Sequence, residues 1–214
     1  MTPATQNPLL EPWTTPFEAP PFVAIRTEHF APAFEAALKE HNAEIDAIAG
    51  NPQAPTFANT IEAMERAGDA LIKPSGVFWN LSGSNTNDEL QALEREWSPK
   101  FAAHYTNIST NAALFKRVDA VFAQNDKLGL NPEQLRLLEK THKGFVRSGA
   151  KLEGAARERF KELSQTRAKL TTQFGQNVLA DEKAFMLVLK GEADLAGLPQ
   201  FLREAAAGAA DERG

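Results

Sequence analysis

Residues 156–178, ARERFKELSQTRAKLTTQFGQNV, carry the most regular pattern of the chain. One set of side chains recurs there every three or four residues: Ala156, Phe160, Leu163, Arg167, Leu170, Phe174 and Val178. This spacing places them on one face of a helix. In a single chain, a repeat close to seven residues favours antiparallel packing between helices rather than a coiled-coil dimer. The stretch therefore predicts a mainly α fold.

Helix boundary signals continue this pattern towards the N-terminus. Asn131 followed by Pro132 is typical of a helix start, and Asn111 is placed to cap a further helix. Thr86 with Glu89 matches a capping box, in which each side chain bonds the other residue's backbone. We therefore predict a multi-helix antiparallel domain over residues 26–182.

One of these helices should be interrupted. Apolar spacing predicts a helix that begins near residues 56–59 and runs towards Leu81, with Lys73, Pro74, Ser75 and Gly76 inside it. A proline within a helix removes a backbone donor and clashes with the preceding turn. We expect a kink there, or two shorter helices.

Both ends of the chain differ from this helical centre. Residues 1–25 contain six prolines and predict an extended arm. In residues 184–190 the large side chains of Phe185, Leu187 and Leu189 alternate, which predicts one short β-strand within a 183–214 segment that ends in a helix after Pro199. A strand needs a partner for its backbone groups, so we expect the fold to continue beyond residue 214.

Composition limits the classes of protein. The 214 residues include no Cys, so disulfides, thiolate nucleophiles and Cys-based zinc sites are excluded. No apolar run reaches the length of a membrane span, and the first 25 residues lack the pattern of a secretory signal. The formal net charge is −5. We expect a soluble protein without a membrane partner.

The sequence offers little that could perform chemistry. It has four histidines, His29, His41, His104 and His142, and none begins the H-E-x-x-H pattern of zinc peptidases. His41 with Glu44 is a weak metal candidate that fits a solvated surface better, and His104 and His142 fit hydrogen-bonded core positions. No phosphate-binding glycine loop or nucleophile elbow occurs. We assign no catalytic, cofactor-binding or metal-binding residue.

A local excess of basic residues also has an ordinary explanation. Residues 131–170 hold ten Lys and Arg against five acidic side chains. Because glutamates are interspersed on the same helices, solvation and pairing within a helix explain the excess better than nucleic-acid binding. We expect no nucleic-acid partner.

Several segments in chain order resemble one family. They are NPLL (7–10), PPF (20–22), EHFAPAF (28–34), PTFANTI (55–61), FWNL (78–81), SNTNDEL (84–90), EQLRLLE (133–139) and TQFGQNVLA (172–180). Together they are similar to the opening of bacterial peptidyl-dipeptidases, which belong with oligopeptidase A and thimet oligopeptidase among the zinc metallopeptidases. The similarity extends over nearly the whole chain. The residues 73–76 depart from it, since the family would have uninterrupted helix there.

The resemblance implies a cytoplasmic parent protein that removes C-terminal dipeptides from oligopeptides. In that family a helical N-terminal region forms one wall of a deep channel, and zinc belongs to a later domain. The resemblance therefore implies no cofactor in this chain, zinc in the parent, and two partners: its own C-terminal catalytic domain and the oligopeptide substrate. The alternative is a stand-alone helical protein-interaction module without enzymatic activity.

Overall fold

The computed structural model describes residues 7–213, and the structural statements below concern that part of the chain. It is mainly α, as predicted. The helices are α1 (Phe30–Ala49), α2 (Ala63–Arg66, preceded by a π-helical turn over Phe57–Glu62), α3 (Asp69–Ser84), α4 (Asp88–Ser109), α5 (Ala112–Phe122), α6 (Pro132–Arg147), α7 (Gly154–Ala184), α8 (Glu192–Leu195) and α9 (Gln200–Arg213).

The chain divides into two compact units. The first ends at residue 174 and the second begins at residue 175, within α7. The first unit contains α1 to α6, and the second contains α8 and α9. The predicted division into 1–25, 26–182 and 183–214 stays a prediction.

Two of the three expected helix caps form as predicted. The Asn131 side chain accepts a hydrogen bond from the Gln134 amide at 2.9 Å, and the Gln134 side chain accepts one from the Asn131 amide at 3.1 Å. Asn111 accepts from the Leu114 amide at 3.0 Å. These side-chain oxygens satisfy amides that a helix start leaves without a partner.

The third cap lies one residue later than predicted. The side chain of Asn87 accepts from the Leu90 amide at 2.8 Å and begins α4, whereas the Thr86 hydroxyl is buried without a hydrogen-bond partner. Both residue types are good caps. Starting the helix at Asn87 also buries Leu90, which is 5% exposed.

The predicted division into two shorter helices at residues 73–76 is wrong, and a kink at Pro74 stays a prediction. α3 continues through Pro74, whose ring is fully buried, and the hydroxyl of Ser75 donates to the Leu71 carbonyl within the same helix. Burial of the proline ring offsets the lost backbone bond. The break lies earlier, between α2 and α3, where Gly68 has a φ of 87°. Glycine reaches this left-handed conformation at little steric cost.

Two apolar clusters form the core of the first unit, and α1 contributes to both. The first consists of Leu9, Ile25, Phe30, Ala33, Phe34, Ala37, Leu71, Val77, Phe78, Leu90, Trp97 and Phe101. The second consists of Ile45, Ile48, Phe57, Ile61, Leu114, Val118, Val121, Leu138, Phe145 and Ala150. Phe34 lies at the aromatic centre of the first cluster, with ring centroids 5.3 Å from Phe78 and 5.0 Å from both Trp97 and Phe101.

The described part of the proline-rich arm lies against the first cluster. Leu9 is only 2% exposed, and the Asn7 side chain donates to the His29 carbonyl at 2.8 Å. The ring of Trp13 lies 5.0 Å from the Lys73 ammonium group. These contacts attach the arm to α1 and α3. Residues 1–6 of the predicted arm lie outside the described residues.

The predicted β-strand is wrong. α7 extends to Ala184, and residues 185–190 have no regular secondary structure. Phe185 and Leu187 are each 73% exposed. A strand requires a neighbour for its amides and carbonyls, and residues 7–213 contain no strand that could pair with this one. The predicted final helix after Pro199 is confirmed as α9.

Candidate functional site

Two of the four histidines meet inside the first unit. His104 Nε2 on α4 lies 3.0 Å from His41 Nδ1 on α1, and the two residues are 6% and 9% exposed. Burial lowers the pKa of His41, which Glu44 partly opposes. Burial, together with the neighbouring His41, lowers the pKa of His104 to about 4. Both rings are therefore neutral at pH 7, and one donates to the other.

The other two histidines also form hydrogen bonds within the chain. The ring of His142 stacks on Phe122, with centroids 4.0 Å apart, and its Nε2 lies 2.9 Å from the Asp119 carboxylate. His29 accepts a hydrogen bond from the Arg26 amide at 3.0 Å. The predicted hydrogen-bonded core positions are found for His104 and, at the edge of the core, for His142.

The weak metal candidate of His41 with Glu44 is not a solvated pair. His41 is buried against His104, and the Glu44 carboxylate accepts a hydrogen bond from the Gly68 amide at 2.7 Å. Nowhere in residues 7–213 do three His, Asp or Glu side chains lie together in a way that could hold a metal ion. The described residues therefore offer no site for zinc, which the resemblance implies only for a later domain of the parent protein.

A surface cleft lies between α4 and the first half of α7, within the first unit. It has a volume of about 780 Å³. Side chains from the end of α3 and from the turn after α6 complete it. Its lining is Trp79, Glu94, Ser98, Ala102, Tyr105, Thr106, Ser109, Ser148, Phe160, Ser164, Arg167, Ala168, Thr171 and Thr172.

Hydroxyl and aromatic side chains make up most of the lining of this cleft. Seven Ser and Thr hydroxyls line it, together with the aromatic rings of Trp79, Tyr105 and Phe160. A hydroxyl can both donate and accept hydrogen bonds, so these side chains suit a ligand that presents amides and carbonyls. Desolvation raises the pKa of the Tyr105 phenol, which therefore remains a hydrogen-bond donor at neutral pH.

The stripe on α7 that predicted the fold divides between two surfaces. Phe160 and Arg167 line the cleft. Leu163, Leu170 and Phe174 are 50%, 63% and 69% exposed. At about 100° of rotation per residue, these three are centred about 50° around the helix from Phe160 and Arg167. The helix is confirmed, but the described residues do not cover its predicted packing face. We call Leu163, Leu170 and Phe174 the α7 apolar row.

The sequence alone missed two features of the core. One is the contact between His41 and His104, which are 63 positions apart. The other is Arg117, a 6% exposed cation whose Nη1 donates to the Asn51 carbonyl at 2.8 Å and the Gln53 carbonyl at 3.0 Å. Its place between Leu114 and Val118 on an amphipathic helix was the available signal.

The whole length of the chain has relatives among known proteins. It is 43% identical to dipeptidyl carboxypeptidase of Escherichia coli over 210 residues, which are 98% of this chain and 31% of that protein. It is 25% identical to oligopeptidase A of the same organism, over 97% of this chain and 30% of that protein. A probable cytosolic oligopeptidase A of Arabidopsis thaliana is 27% identical over 91% of this chain and 27% of the relative.

The chain spans 31% of the length of the dipeptidyl carboxypeptidases it matches. No family model matches it. In the part of the chain that the structure describes, no helix is both long and apolar enough to cross a bilayer.

Proposed function

Because this chain belongs to the family of dipeptidyl carboxypeptidase and oligopeptidase A, we propose that it forms the non-catalytic N-terminal helical region of a longer peptidase. In this proposal the longer protein is a cytoplasmic zinc metallopeptidase that removes dipeptides from the C-termini of oligopeptides. The observation that carries the proposal is the 43% identity to dipeptidyl carboxypeptidase, which extends over 98% of this chain but only 31% of the relative.

The proposal places catalysis outside these 214 residues. The described residues offer no ligand set for zinc, and the four histidines of the chain hydrogen-bond to other groups of the chain. Zinc and the catalytic side chains would belong to the two thirds of the relatives that this chain does not match. The zinc, when bound there, would supply Lewis-acid activation of water and of the peptide carbonyl.

The α7 apolar row supports a contact with that remaining region. Leu163, Leu170 and Phe174 expose large apolar side chains on one helix face. Single exposed apolar residues are ordinary, but an aligned row of large ones marks a surface that a further element covers. In the proposal, this row packs against the catalytic region of the longer protein.

In the proposal, this chain forms one wall of the substrate channel, and the cleft is where that wall contacts the oligopeptide. Its hydroxyls lie on both α4 and α7, as with Ser98 and Ser164. An extended peptide presents amides and carbonyls along its length, and hydroxyls can bond either. Such contacts would hold an oligopeptide in position, and a narrow channel would exclude folded proteins.

A stand-alone helical interaction module remains the second candidate, and the same α7 apolar row favours it. The two proposals differ in the identity of the partner. For the module, the partner would be an unrelated helix or peptide. For the peptidase, it is the region that dipeptidyl carboxypeptidase has in addition to the matched 31%.

Association of two purified pieces tests the proposal. The chain is titrated in a calorimeter with the unmatched region of Escherichia coli dipeptidyl carboxypeptidase, produced separately. We expect saturable binding that the double variant Leu170→Ser with Phe174→Ser weakens at least tenfold. The control is Ile72→Ser, which changes a 65% exposed apolar residue on α3 and should leave binding unchanged. Absence of binding, or equal weakening by both variants, would contradict the proposal.

A further inference from the structure

A row of basic side chains runs along the exposed face of α6. Arg136, Lys140, Lys143 and Arg147 recur at intervals of four, three and four residues, and all four are exposed. The buried residues of this helix are Leu138 and Phe145. At about 100° per residue, the basic row is centred opposite them. We call these four residues the α6 basic stripe.

Most of this charge is not neutralised within the described part of the chain. Arg136 pairs with Glu139 at 3.1 Å. Lys140, Lys143 and Arg147 form no ion pair with any residue among 7–213. Residues 136–151 carry five Lys and Arg against one acidic residue, in a chain whose formal net charge is −5. The stripe is thus a local positive surface on an acidic protein.

We propose that the α6 basic stripe binds an extended polypeptide segment with acidic side chains at alternate positions. The stripe spans eleven steps of a helix, or about 16 Å at about 1.5 Å per residue. An extended peptide rises about 3.3 Å per residue, so about five residues cover that length. Side chains on one side of it are about 6.6 Å apart, and successive cations of the stripe are about 4.5–6 Å apart along the helix axis.

Two other polyanions fit this surface less well. Single-stranded nucleic acids bind through base stacking on exposed aromatic rings as well as through charge. On α6, His142 stacks on Phe122 of α5, and Phe145 is buried in the second apolar cluster. A helix that lies in a membrane interface combines charge with an inserted apolar face, and the apolar face of α6 is already buried against α5. The binding surface is independent of the proposed place of the chain in a peptidase.

Fluorescence anisotropy of labelled peptides tests the inference with the whole chain. The probe is the heptapeptide Glu-Ser-Glu-Ser-Glu-Ser-Glu, and the control peptide has Gln in place of each Glu. At about 20 mM salt we expect the acidic peptide to bind about tenfold more tightly, because three or four exposed charge pairs form. At about 300 mM salt this preference should fall to less than about threefold, because the screening length decreases from about 20 Å to about 6 Å and weakens each exposed charge pair.

Matched variants locate the site. Lys140→Gln with Lys143→Gln should raise the Kd of the acidic peptide about three- to tenfold. Lys39→Gln with Lys169→Gln, which changes two exposed lysines on α1 and α7, should change it less than twofold. Gln and Lys have similar helix propensities, so circular dichroism should be unchanged for both. Equal Kd values for the two peptides, equal effects of the two double variants, or tighter binding of a thymidine heptanucleotide than of the acidic peptide would overturn the inference.

Discussion

His104 Nε2 lies 3.0 Å from His41 Nδ1, and this hydrogen bond separates the two apolar clusters of the first unit. On α1, His41 lies between Ala37 of the first cluster and Ile45 of the second. On α4, His104 follows Phe101 of the first cluster. The two helices are therefore joined by a polar contact at the point where the core changes from one cluster to the other.

This pair should make the stability of the chain sensitive to acid. In the unfolded chain a histidine takes up a proton near pH 6.5, whereas the folded pKa of His104 is about 4. Between these values the unfolded state binds more protons. The free energy of unfolding should therefore be constant above about pH 6.5 and fall towards pH 4, by at most about 1.4 kcal/mol per pH unit for this group.

Urea titrations at pH 7, 6 and 5 measure this effect. His104→Gln keeps an amide that can donate to His41 but does not titrate. We expect the variant to lose less stability than the parent between pH 7 and pH 5. Identical losses would show that other groups, not His104, cause the acid sensitivity.

Gly68→Ala should destabilise the fold because Gly68 lies against the ring of His41. The added methyl group would lie 2.9 Å from the His41 ring, and the φ of 87° is unfavourable for alanine. We expect a loss of about 1–3 kcal/mol, measured by urea denaturation. Gly76→Ala is the control, because nothing lies within 4 Å of its added methyl group on α3. That variant should be neutral or stabilised by up to about 1 kcal/mol. Equal losses in both would contradict the proposed close contact.

The Arg117 side chain should stabilise the segment that connects α1 to α2. Its guanidinium group donates to the carbonyls of Asn51 and Gln53 and, at 2.9 Å, to the Asn59 side chain. Arg117→Ala leaves these acceptors without a partner and should cost about 2–4 kcal/mol in thermal or urea unfolding. Arg66→Ala is the matched control, since it removes an exposed pair with Glu62 and should cost less than about 0.5 kcal/mol. A loss of similar size in the two variants would be inconsistent with this assignment.

The α7 apolar row should contribute little to the stability of the isolated chain. Leu170→Ser and Phe174→Ser change side chains that are 63% and 69% exposed, so each should alter the free energy of unfolding by less than about 0.5 kcal/mol. Phe34→Ala, at a fully buried position, should cost about 3–5 kcal/mol. A large loss for Phe174→Ser would mean that the row is already packed within this chain.

Local sequence signals predicted most helices because their causes are local. Apolar spacing predicted α7, and side-chain oxygens at Asn111 and Asn131 predicted the starts of α5 and α6. Two local predictions were wrong, one at the start of α4 and one at Pro74 in α3. Thr86 and Asn87 are both good caps, and Pro74 is tolerated in α3 because its ring is buried.

The remaining features depend on contacts between distant residues, which spacing alone does not reveal. The alternation of Phe185, Leu187 and Leu189 predicted a strand, but strand formation also requires a neighbour. The pairing of His41 with His104 depends on how α1 packs against α4. The cleft likewise exists only because α4 and α7 approach each other, so its hydroxyls are dispersed in the sequence and carry no motif.

The most direct test of a non-catalytic role is hydrolysis of an internally quenched oligopeptide with zinc present. The purified chain alone should show no activity. The unmatched region of Escherichia coli dipeptidyl carboxypeptidase should be weakly active alone, and addition of this chain should restore release of C-terminal dipeptides, detected by mass spectrometry. Chelator-sensitive hydrolysis by the chain alone, or full activity of the other region without it, would contradict the proposed function.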